Sequence, residues 1–322
     1  MDTIINSNIL TVDIKKDILE GRQYNHYGFP LLFNVIPTEG KTTRVISSDD
    51  RAGSRAVFVA ENESIPFKDT WLRETVLTPK RIGTTIEVSE EFMDDPNVDI
   101  EGYFKQIFID RIIDGVEFQM ISTGTENGTE PKNIQKFITD TQNTASTVED
   151  EALSFEDMMA SYKIFITNPS NKRNAFWVIS KFAKLSVLDN KGNEKLSFEN
   201  IPDGADATLL GLPVYQKNLG SANSATEPNG ELRPVAYAIT NREAYTIAMK
   251  DITIKQIKGD TKQALRNSFV FMAESWIDGK VTNKYAKISA IFAPEVQQAS
   301  VTEQSIDEPK PVKRKATKIE KA

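Results

Sequence analysis

The sequence predicts an α+β fold, and three observations carry that reading. Asp99 to Ile121 places apolar residues at helical spacing over a length few other segments match. Short runs rich in β-branched and aromatic residues recur on both sides of it. Near the end, two such runs flank Asp278-Gly279, a dipeptide that signals a hairpin.

Residues 1–43 carry scattered apolar positions with no sustained period. They read as an extended N-terminal arm with one or two helical turns near Val12 to Leu19, lacking a core of its own. Residues 44–80 read as a hairpin excursion. "AVFVA" (Ala56–Ala60) is one β-rich run, Glu61 to Ser64 a polar turn, and the chain returns through Ile65 and Pro66 into "TWLRETVLTP". Two strands of this length need a partner surface. Val57, Phe58, Val59, Ile65, Phe67, Trp71 and Leu72 make the excursion too apolar for a free loop, so Phe58, Ile65, Phe67 and Trp71 are its candidate intersubunit contacts.

Ile82, Thr84, Ile86 and Val88 alternate at period two, as on a half-buried strand. Ser89 is placed to cap a short helix carrying Glu90 and Glu91. In the long helix, Ile100, Tyr103, Phe104, Ile107, Phe108, Ile112, Val116 and Met120 form one face, and Asp99 suits its cap. "STGTENGTEPKNI" then reads as a loop.

A second region starts at "SFEDMMASYKIF", a helix with Ser154 and Asp157 in a capping arrangement. "AFWVIS" is a buried strand, "KFAKLSVL" a short helix and "DNKGNEKL" a turn. In "ATLLGLPVYQKN", Gly211 and Pro213 mark a bend in a strand, since proline cannot donate to a ladder and glycine tolerates unusual dihedrals. "RPVAYAIT" and "YTIAMKDITIKQI" continue the strands across an exposed loop, "GSANSATEPNG". Residues 294–322 hold almost no large apolar side chains and read as a disordered tail, basic from Pro309 to Ile319.

Candidate chemistry is sparse. The 322 residues include no cysteine, which excludes disulfides, thiolate metal sites and cysteine nucleophiles. The one histidine, His26, sits among Tyr24, Tyr27 and Phe29 and reads as a packed or surface imidazole, so a Ser/His/Asp triad has a single base to draw on. Asp94-Asp95 and Glu90-Glu91 lack calcium-loop spacing. "STGTENG" lacks the Gly-Lys-Ser/Thr of a phosphate loop. Catalytic residues, cofactors and metals are all expected to be none. No run reaches the roughly 18 apolar residues of a membrane span, so no membrane partner is expected. The net charge of −7 argues against broad gripping of nucleic acid phosphates, though not against enclosing nucleic acid.

The order of elements and four stretches resemble the major capsid proteins of tailed bacteriophages, the Hong Kong 97-type fold. Ala56, Glu61, Val88, Ser89, Glu90 and Phe92 fill places in that family's excursion. The helix Asp99–Ile121 with Gly124, Gly128, Pro131 and Ile134 looks like its spine helix and exit. "FWVISKFAKLSVLDNKGNEKL" looks like its strand, helix and Asp-x-x-Gly turn, and "ATLLGLPVYQKN" matches its Leu-Leu-Gly-x-Pro-Val segment.

The resemblance implies an extended hairpin loop at 44–80 and a peripheral domain at 81–150 and 251–293. It implies an axial wedge domain at 151–250, with Gly211 and Pro213 as a bend in a wedge strand. It implies a shell of pentamers and hexamers around double-stranded DNA, assembled in the bacterial host cytoplasm and carried in the virion, with a portal protein as partner. Fewer than 45 residues precede the excursion, so a separate scaffolding protein, or a processed form, is expected. Some relatives join subunits by a Lys–Asn bond; Lys68, Asn267 and Glu274 are the matching candidates here. The alternative is an encapsulin-type nanocompartment shell, which the basic tail and long excursion disfavour; an enzyme using His26 is the third class.

Overall fold

In a computed structural model of the chain, the described residues are 9–12, 28–48, 58–61, 63–65, 72–89, 100–121, 134–138, 140–141, 143–202, 204–224, 232–257 and 266–293. Along the chain, β1 (Ile9–Val12), β2 (Asn34–Pro37), β3 (Thr43–Ser48), β4 (Leu72–Leu77) and β5 (Lys80–Ser89) precede a 22-residue helix, α1 (Ile100–Ile121). Next come β6 (Asp140–Thr141), β7 (Asn143–Thr144), β8 (Ala152–Ser154) and helix α2 (Phe155–Phe165). β9 (Ala175–Ser180), β10 (Lys184–Leu188), β11 (Ala207–Leu209), β12 (Leu212–Lys217) and β13 (Ser221–Ser224) follow. β14 (Leu232–Asn241), β15 (Tyr245–Met249), β16 (Ile252–Ile257), β17 (Ser268–Val281) and β18 (Lys287–Ile291) complete the series.

Two mixed sheets organise these strands. The six-stranded sheet runs β1-β16-β17-β15-β2, with β5 also on β17. β5 alternates exposed and half-buried residues as its period-two pattern requires, and Ile82, Ile86 and Val88 pack toward α1. Phe104, Phe108, Ile112, Val116 and Met120 are buried as predicted; Ile109 and Ile113 join them and widen the apolar face. The Phe104 ring lies 5.0 Å from that of Phe271 on β17.

The eight-stranded sheet runs β11-β12-β9-β14-β13-β6, with β18 on β14 and β7. It is covered on both faces, so β9 is buried throughout and reads as a continuous apolar run. Phe176 and Val178 face the first core, whereas Trp177 and Ile179 face a second core under α2. The cap of α2 forms as expected: Ser154 Oγ accepts from the Asp157 N–H at 3.4 Å.

Several expectations are corrected. The chain from residue 28 onward is not a coreless arm: Phe29 and Phe33 are fully buried, with Phe33 centroids 4.9 Å from Phe137, 5.6 Å from Phe176 and 5.6 Å from Tyr245. This aromatic cluster ties the two sheets together, and β2 adds parallel to β15. Val12 lies in a strand, with residues 13–19 outside the described residues. "KFAKLSVL" holds β10, not a helix, because Lys184–Leu188 pairs in parallel with β8. Ser221–Ser224 is a strand, not loop. Asp278-Gly279 is no hairpin: β17 runs straight through it, and the turn before β18 lies at Lys284–Ala286. Sheet membership also cuts across 151–250 and 251–293, since β15 joins the six-stranded sheet and β18 the eight-stranded one. The helix after Ser89, the cap at Asp99, His26 and the tail all lie outside the described residues.

Candidate assembly surface

β3 and β4 form a two-stranded antiparallel ribbon that belongs to neither large sheet, in register from Thr43↔Leu77 to Ser48↔Leu72. The hairpin excursion is therefore present, and β4 lies within its expected second arm, "TWLRETVLTP", but the first strand is β3, ahead of the apolar run. Phe58 to Ala60 has no strand structure, and Ala56 and Val57 lie outside the described residues. The polar turn starts one residue early, with the Glu63 N–H donating to the Ala60 carbonyl at 3.1 Å. At the ribbon root Leu77 is buried completely; toward the tip Phe58 is fully exposed and Ile65 is 79% exposed. Phe67 and Trp71 lie outside the described residues. Ile46 is a further exposed apolar side chain, 69% exposed on β3; its signal in the sequence was the apolar pair Val45-Ile46 inside the otherwise polar "TRVISS". Covering each of these side chains contributes about 1.5–3 kcal/mol. An exposed arginine–glutamate pair, Arg44 to Glu74 at 3.2 Å, braces the ribbon across its strands.

Gly211 and Pro213 serve a turn, not a bend within one strand. β11 and β12 are antiparallel, with Leu209 paired to Leu212, leaving Leu210 (φ 54°) and Gly211 (φ 76°) as a two-residue turn. Positive φ at both positions matches strand twist in tight hairpins. Nothing lies within 4 Å of a Cβ built on Gly211, so the backbone angle alone selects glycine there. Pro213 faces Thr208, one residue before the ladder to β9 begins at Val214, where a missing N–H costs no bond. Beside this hairpin, burial raises the Glu194 carboxyl pKa. Donors from Ser186 and from the Val187, Leu196 and Lys195 backbones outweigh it and leave the carboxyl below its ordinary range.

A cleft of about 360 Å³ is lined by Asp114, Glu117, Phe118, Ile121 and Phe182, among others; Glu117 accepts from the Phe29 N–H at 2.8 Å. Glu274 is paired with Arg81 at 2.7 Å and with Lys255. Asn267 (φ 51°) lies in the turn before β17, and Glu274 stands six residues into that strand from Ser268, roughly 20 Å along it, so the structure does not bring these two together within one subunit. Lys68 lies outside the described residues. Among the described residues no group of three His, Cys, Asp or Glu side chains could hold a metal ion, and no helix is long and apolar enough to cross a membrane.

Comparison with known proteins bears on this arrangement. The capsid of native GTA particle computed with C5 symmetry matches with a TM-score of 0.54 at 16% identity, covering 83% of this chain and 90% of that one. The capsid of empty GTA particle computed with C5 symmetry gives 0.56 at 14% identity, with 83% and 90% covered. A chain of Mycobacterium phage Adephagia gives 0.52 at 13% identity, with 86% and 94% covered. At these identities the likeness is one of fold. A search of curated protein sequences found no match. The model of the phage capsid family matches residues 31–289, which take in the ribbon, α1 and all but two strands of the sheets complete, and the chain belongs to that family.

Proposed function

We propose that this chain is the major head subunit of a tailed bacteriophage, assembling as pentamers and hexamers into an icosahedral shell around double-stranded DNA. Its role is structural and its site is a contact surface. The observation that carries this reading is the β3–β4 ribbon, which stands apart from both large sheets and carries fully exposed Phe58 toward its tip. A ribbon of two strands gains its stability from a surface it packs against. A closed shell repeats one contact by symmetry, so one modest patch acts many times. In this reading α1 is the spine of a peripheral domain, and the β11–β12 turn belongs to an axial wedge near the centre of each capsomer. A separate scaffolding protein and a portal protein are the partners during assembly in the bacterial host cytoplasm. The net charge of −7 fits a shell that encloses DNA without sequence-specific binding.

The test is removal of residues 56–71 with a short Gly-Ser bridge, followed by circular dichroism, size-exclusion chromatography and electron microscopy. The expected result is a folded subunit that forms no shells. A deletion variant that still closes into particles would sink the proposal. One that loses its fold places the ribbon in the subunit's own core and overturns the intersubunit role.

A further inference from the structure

Three alternate residues of β17 hold the root of the ribbon. Alternate residues of a strand share a face, and on this face Trp276, Asp278 and Lys280 each meet a different part of the excursion. Gly40, in the turn leading into β3, adopts φ 85°, and a Cβ built there would lie 3.4 Å from the Trp276 ring. Asp278 is completely buried. Its Oδ2 accepts from the Thr78 N–H at 2.6 Å, and its Oδ1 accepts from the Gly279 N–H at 2.8 Å. Lys280 Nζ donates to the Val76 carbonyl at 2.7 Å.

The ladder between β5 and β17 ends at Lys80↔Ile277. Beyond it the chain must leave the sheet, and Pro79 has no N–H to extend the pairing. Side chains of β17 replace the lost ladder bonds at Thr78 and Val76. A buried carboxylate with two N–H partners is an expensive group to place unless both bonds are made, so its geometry is tightly specified. The donors and acceptors involved are some 200 residues apart in sequence, which makes this seat a tertiary device and not a local turn.

We infer that Trp276, Asp278 and Lys280 are positioning residues that fix the direction in which the ribbon leaves the sheet, and through it the angle between neighbouring subunits. This rests on the ribbon being an intersubunit contact. Shell curvature is the accumulated angle of one repeated contact, so a change of direction at the root is carried to the whole particle.

Lys280→Met keeps the side-chain stem and removes the donor, Lys280→Arg retains one, and Asp278→Asn leaves one N–H without an acceptor. Because the chain has no cysteine, spin labels at Ser64→Cys and Arg242→Cys report the ribbon-to-sheet distance in the unassembled subunit by pulsed electron resonance. Lys280→Met and Asp278→Asn are expected to shift or broaden that distance and to give particles of altered diameter or open sheets. Lys280→Arg is expected to keep both. If Asp278→Asn fails to fold, Lys280→Met against Lys280→Arg decides. Unchanged distances overturn the seat, and a changed distance with unchanged particles overturns its link to curvature. Closed particles from the 56–71 deletion would instead overturn the ribbon reading beneath it.

Discussion

A methyl group added to Gly279 would lie 2.6 Å from the Tyr245 hydroxyl and 2.8 Å from its ring. That hydroxyl donates to the Gln135 carbonyl at 2.6 Å, and the Gln135 N–H donates back to the Gly279 carbonyl at 2.7 Å. The tyrosine hydroxyl is therefore tied to a segment that is itself bonded to Gly279, and its ring is fully buried, so it has little room to step away. Gly279→Ala should destabilise the subunit by about 1–3 kcal/mol through overpacking. Gly211→Ala, where the space is open and only φ is strained, should cost about 1–2 kcal/mol. In a Tyr245→Phe background, which removes the nearest clashing atom, the penalty of Gly279→Ala should be smaller than in wild type and that of Gly211→Ala unchanged, as read by denaturant unfolding. A charged residue gives a pH-dependent counterpart. Lys255 bonded to Glu274, with Arg81 on its other oxygen, holds that carboxyl below its ordinary range. A lowered carboxyl contributes stability that is complete above the ordinary range and lost as pH falls through the folded value. Wild type should then lose more stability than Glu274→Gln between about pH 5 and about pH 3. Parallel losses in the two proteins would remove this pair from the acid response.

Among the elements, those whose signal is local were legible in the sequence. α1 announces itself because 22 residues repeat the helical period many times, and β5 because its alternation faces a core on one side only. β10 was not legible: lysine, alanine and leucine suit a helix, and parallel pairing with β8 overrode that propensity. Asp278-Gly279 carried the chemistry of a turn, but there the aspartate is a buried acceptor and the glycine makes room for Tyr245. The ribbon's second strand lies where it was expected, but its first is β3 and not the apolar run, because their register is a long-range pairing that no local run encodes. The same non-local logic governs β1, an edge strand whose partner β16 lies more than 200 residues away. Removing residues 1–12 would leave β16 as an open edge, ready to pair with another chain. The truncated subunit should keep its far-ultraviolet spectrum and associate into irregular aggregates detectable by light scattering. Scattering identical to wild type would show that β16 needs no cover.

At the scale of the whole molecule, the larger sheet is completed by β18, the last strand among the described residues. β18 pairs antiparallel with β14 from Val235↔Ile291 to Thr240↔Lys287 and parallel with β7, so it is an interior strand of the larger sheet. Phe292 is 2% exposed and donates its N–H to the Pro234 carbonyl at 3.1 Å; Ala293 donates to Thr147 at 3.0 Å. Beyond Ala293 the sequence holds no aromatic residue and only scattered valine and isoleucine, so its composition predicts little loss of apolar burial when it is removed. A chain stopped after Ala293 should therefore keep its melting temperature within about 2 °C, since even a 1 kcal/mol loss would move a domain of this size by roughly that amount. It should also still form shells under the conditions in which the full chain does. A chain stopped after Ala286 loses β18 and Phe292 together, exposes β14, and should not fold. If the chain stopped after Ala293 melts like wild type yet forms no particles, the segment 294–322 has a part in assembly that its composition does not reveal.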